Sequence, residues 1–171
     1  GEKALERARR PHPRDRASFI PELLPLLDAS GRLEIVPEES EFSALLGEEV
    51  RLRSSDGHTP GMRLAEIRGH AATAVFCADL VPGRAWVHLP VTMGYDRAPE
   101  QLIDEKRALY EALGVGSWLL FTHDVEVAAG RLSVDDKGRY GVEASVGEFV
   151  RWDLDTESAP ASSSNAGGAG S

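Results

Sequence analysis

The 171-residue chain has a single cysteine, no internal repeat, no coiled-coil heptad and no glycine loop of the kind that cradles phosphate. A lone thiol closes no internal disulfide, and the place of Cys77 in the apolar run Ala74-Val75-Phe76-Cys77 predicts a small buried side chain. No apolar stretch approaches the roughly 20 residues of a membrane-crossing helix, and no signal peptide is visible. Basic residues are the minority, 19 Lys and Arg against 28 Asp and Glu, for a net charge of -9. That balance disfavours nucleic acid and anionic membranes as partners, since both need a basic footprint. The expectation is an acidic cytoplasmic protein acting on a small molecule. The oligomeric state is not legible.

What is present suffices for one domain, or for half of a larger one: 42% of residues are hydrophobic. Residues 2–10 suit a charged helix stopped by Pro11 and Pro13. Ser18 is placed to cap a short helix with Pro21 in its first turn and a break or kink at Pro25. Gly31 ends that segment, and Leu33-Glu34-Ile35-Val36 alternates as a strand does. Residues 48–53 alternate again, with Val50 and Leu52 predicted on the buried face. Strands follow over 62–67 and 71–78. Residues 99–113 form the clearest helix, with proline first, Glu100 in the opening turn and Gly114 as the stop. Residues 117–121 read as a strand covered on both faces. A final hairpin runs over 125–134 and 140–146, and 149–154 pack as an end piece. The domain thus covers 1–154, and residues 155–171 read as a disordered Ser/Ala/Gly tail.

Three points carry chemistry: Asp56-Gly57-His58-Thr59-Pro60-Gly61, Ala78-Asp79-Leu80 and Phe121-Thr122-His123-Asp124. Each sets a metal-ligand type at the end of a strand-like run, and a His-Asp-His set suits zinc or iron. A lone histidine is more often an ordinary core or surface residue, and an aspartate after a strand is ordinarily a turn-former. Position separates His58 from that background, because glycines and a proline make its turn rigid. Asp124 reads as a solvated loop acid, with orientation of a ligand as the alternative. His12, His70 and His88 read as non-ligands.

In that order the three points resemble the second half of the metallo-β-lactamase fold, a superfamily of mostly hydrolytic, dinuclear-metal proteins. Gly94-Tyr95-Asp96, then Pro99 opening a helix with Glu105-Lys106, resembles a branch near the lactonases. The resemblance implies an α/β chain forming the carboxy-terminal half of an αβ/βα sandwich. It implies two divalent metal ions, zinc or alternatively iron, with His58 on the first, Asp79 bridging and His123 on the second. It further implies hydrolysis of a lactone, ester or related carbonyl by hydroxide held between the ions, with Asp79 and Tyr95 as the catalytic residues and Tyr95 polarising the carbonyl. Two departures stand out. The family usually has glycine where Ala78 stands, and its upstream His-x-His-x-Asp-His cluster is absent from this chain, which begins with Gly1. The expectation is therefore the carboxy-terminal portion of a longer protein, inactive alone. The alternative is a non-catalytic binding or regulatory module that keeps the fold without the metals.

Overall fold

The computed structural model describes residues 1–149 and 151–156. From residue 157 onward the expected tail lies outside the described residues. Helices α1 (Glu2–Arg9) and α2 (Leu23–Ser30) precede strands β1 (Phe42–Ser43), β2 (Gly47–Ser55), β3 (Met62–Arg68) and β4 (Thr73–Phe76). Helix α3 (Pro99–Leu113) follows, then β5 (Trp118–Leu120), β6 (Ala129–Val134) and β7 (Tyr140–Val146). Neighbouring strands in the chain are neighbours in one seven-stranded sheet, β1 to β7. Every pairing is antiparallel except that of β4 with β5, which α3 connects as a crossover. Among the described residues no helix is long and apolar enough to cross a membrane.

Helix α3 buries Leu102, Lys106, Leu109 and Tyr110, a spacing of three to four residues that forms one stripe against the sheet. Beneath it Leu64, Val75, Cys77, Leu119 and Leu132 make the main core. Buried Lys106 is tolerated because its ammonium donates three hydrogen bonds, to the carbonyls of Trp86, His88 and Val91, at 3.0, 3.1 and 2.7 Å. Burial pulls its pKa down to about 8. On the other sheet face Ala74, Trp118, Ala129 and Val146 form a second cluster under Phe149, Trp152 and Leu154. The Trp118 and Trp152 rings meet edge to face at 4.7 Å.

Three local expectations change. Residues 33–36 form no strand: among the described residues no strand pairs with them, and the Val36 carbonyl instead accepts the Glu2 amide at 3.0 Å. Ser18 lies in a 3-10 turn, Arg16–Ser18, and the helix begins only at Leu23, so Pro25 sits in its first turn, where proline removes no helical hydrogen bond. In β2, Arg51 and Arg53 are half-buried along with Val50 and Leu52, because their guanidinium groups pair with Glu41 and Glu66.

Candidate metal centre

Strand direction explains how distant residues meet. β3 runs antiparallel to both β2 and β4, and β5 runs parallel to β4, so β2, β4 and β5 all point the same way. His58 follows β2, Asp79 follows β4 and His123 follows β5. All three therefore emerge at one edge of the sheet, where the carboxyl ends of strands commonly hold ligands.

The side chains converge on Asp79. Its Oδ2 lies 3.2 Å from His58 Nε2 and its Oδ1 lies 3.1 Å from His123 Nε2. The Thr122 hydroxyl donates to Asp79 Oδ1 at 3.3 Å and to the Ala78 carbonyl at 3.1 Å. The His58 side chain is 11% exposed, that of Asp79 34% and that of His123 64%, so the group grades from sheet interior to rim. The hydrogen bond from His58 is the main reason the Asp79 carboxyl is held below the usual carboxylate range. Burial of the His58 ring lowers its pKa, but the carboxylates of Asp79 and Asp96 together outweigh this and raise it.

The turn that carries His58 is held from three sides. The Glu105 carboxylate on α3 accepts the Ser55 hydroxyl at 2.7 Å and the amides of Asp56 and Gly57 at 2.9 and 3.1 Å. Asp56 accepts the Gly61 amide at 2.6 Å and pairs with Lys3 of α1 at 2.5 Å. Gly57 is obligatory here, since a Cβ would stand 2.5 Å from the Leu102 backbone of α3. Asp96 then meets His58 Nδ1 at 2.8 Å.

Tyr95 borders this group, with its ring edge-on to His58 at 5.8 Å and its hydroxyl donating to Met93 Sδ at 2.9 Å. His12, His70 and His88 stand elsewhere: His12 Nδ1 accepts the Arg14 amide, the His70 amide binds Asp155, and the His88 carbonyl serves Lys106. Asp124 departs from expectation. It is not a solvated acid but has a side chain only 9% exposed, accepting the amides of Arg84, Glu126 and Val127 at 3.1 Å each. It organises the loop after His123 and does not touch the imidazole cluster in the contacts it makes.

The donor set fits two cations sharing one carboxylate. Nitrogen and oxygen donors about 2.1 Å from a tetrahedral ion lie about 3.4 Å apart, close to both observed separations. The two Asp79 oxygens face different imidazoles, so the three side chains do not surround a single centre. Among the described residues no group of three or more His, Cys, Asp or Glu is arranged to hold a metal ion. Each of the two pairs offers one imidazole nitrogen and one carboxylate oxygen, half of the donors that a tetrahedral ion would need.

No protein-family model matches the chain, and no curated protein does. Solved structures do. A probable metal-dependent hydrolase from Staphylococcus aureus is 24% identical, with a TM-score of 0.57 over 73% of this chain and 43% of that one. The hydrolase AbOPH of the beta lactamase superfamily is 14% identical, with a TM-score of 0.61 over 84% and 50%. AidC, a dizinc quorum-quenching lactonase solved with a product, is 17% identical, with a TM-score of 0.56 over 84% and 48%. The chain therefore has the metallo-β-lactamase fold, of which it spans about half the length seen in these structures.

Proposed function

We propose that the protein to which this chain belongs is a metal-dependent hydrolase of a lactone or related ester, with two zinc ions as the preferred cofactors. The observation that carries this reading is the Asp79 carboxylate, each of whose oxygens meets a different imidazole. His58 would hold one ion, His123 the other, and Asp79 both. Such ions acidify water and polarise a carbonyl oxygen, the chemistry that opens a lactone or an ester at neutral pH.

The chain's own residues contribute placement. Thr122 sets the Asp79 carboxylate by a hydrogen bond to Oδ1. Glu105 keeps the His58 turn against α3. Tyr95, 63% exposed beside His58, is our candidate for hydrogen bonding to the substrate carbonyl. Buried Cys77, whose thiol burial pushes up to about 12, takes no part as a nucleophile.

The test is elemental analysis and turnover of lactone and ester substrates by the full-length protein and its Asp79→Ala variant. About two zinc-like ions per chain are expected in the parent, with one ion and at least 100-fold of activity lost in the variant. A metal-free parent would sink the reading, and near-normal turnover by the variant would remove Asp79 from it.

A further inference from the structure

We propose that Asp96 is a positioning residue, whose buried carboxylate accepts a hydrogen bond from His58 Nδ1 and thereby aims His58 Nε2 at Asp79. This rests on the reading of His58 as a metal ligand. An imidazole offers two nitrogens, and only the one without a proton can hold a cation. A carboxylate 2.8 Å from Nδ1 keeps a proton there, so that when a cation binds it is Nε2, 3.2 Å from Asp79 Oδ2, that gives up its proton and supplies the lone pair.

Asp96 is built for this. It is 3% exposed, and its second oxygen accepts the Met93 amide at 2.6 Å, so neither oxygen is left without a hydrogen bond. The backbone around it is tied to the turn it serves. The next amide, Arg97, donates to the carbonyls of Gly57 and His58 at 3.0 and 3.3 Å, and Ala98 donates to Gly57 at 2.8 Å. From the front, Arg14 reaches the Gly94 and Asp96 carbonyls. The carboxylate is thus located relative to the His58 backbone through one intervening residue. The Tyr95 ring stands edge-on beside the imidazole at 5.8 Å.

A purely structural acid would satisfy Met93 and leave the ring's proton unaffected, which defines the test. In the full-length protein, zinc affinity is measured by chelator competition for the parent and for Asp96→Asn. The position of the His58 proton is read by nitrogen-15 NMR of the metal-free, histidine-labelled parent and variant. The parent is expected to carry a hydrogen-bonded proton on Nδ1 that shifts or disappears in Asp96→Asn, and the variant to bind zinc about 10- to 100-fold more weakly. Zinc affinity within twofold of the parent, or a parent His58 protonated on Nε2 alone, overturns the proposal. If Asp96→Asn fails to fold, the parent's spectrum decides. A parent that shows the Nδ1 proton, loses it in the variant and binds no zinc supports the orienting bond and sinks the metal reading alone.

Discussion

Ala78 stands at φ +45°, the single non-glycine residue with positive φ among the described residues, one step before Asp79. The left-handed region costs a residue with a Cβ about 1–2 kcal/mol. Ala78→Gly should therefore stabilise the protein, by less than about 1 kcal/mol once the greater freedom of glycine in the unfolded chain is counted. Urea unfolding at neutral pH reads that gain. The strained site was visible in the text only as a departure, an alanine where glycine is usual. The held turn around His58 was legible because it is written in adjacent residues, Gly57 to Gly61. Its partner was not, because Asp96 lies 38 positions away and nothing in its neighbours announces burial. Asp124 misled for the same reason: three amides that fold back onto it make it a buried acceptor, and amides carry no signature in a sequence.

Elements succeed or fail by whether a neighbour exists to complete them. Helix α3 was readable to the residue, since Pro99, Glu100 and Gly114 are local signals. Residues 33–36 alternate convincingly, yet among the described residues no strand lies beside them to form a ladder, and alternation alone does not make a strand. β3 shows another limit of pattern reading. Its fully buried Glu66 faces Arg53 of β2 and Arg68 of its own strand, with both guanidinium groups hydrogen-bonded to the carboxylate. Burial alone would raise the Glu66 carboxyl, but the two arginines outweigh it and hold the group below its ordinary 4.5. A depressed carboxyl contributes stability above its unfolded value and loses it as pH falls through the folded one. Urea stability should hold from pH 7 to about 5 and decline below about 4.5. Glu66→Gln should decline less over that acid range, starting about 2 kcal/mol lower at pH 7 because two arginines then lack their partner.

Taken whole, the molecule is a sheet with one finished face and one partly finished. The pairings align Leu52, Ala65, Phe76 and Leu120 in a row on the face opposite α3. The end of that row nearest β7 is covered by Phe149, Trp152 and Leu154, whereas Phe76 remains 42% and Ile67 37% exposed. An apolar sheet face of this kind usually packs against a second layer. Expressed alone, the chain should bind a hydrophobic dye, and Phe76→Ser should reduce the fluorescence severalfold without lowering the helix signal in circular dichroism. Dye binding unchanged by the substitution would place the exposed apolar surface elsewhere. Half of a layered fold was expected from the text, but which face would stand open depends on strand register, which hydrophobic pattern does not specify across seven strands.

The neighbouring residues Glu105 and Lys106 have a consequence for how such a protein can change. One grips the segment before His58, and the other grips the carbonyls of residues 86–91 leading toward Asp96. Successive helical residues are about 100° apart in azimuth, so one added or deleted residue ahead of Glu105 would rotate both grips off their targets at once. The winding of a single helix thus acts as the timing mark for two loops, and length variation there is tolerable only in whole turns.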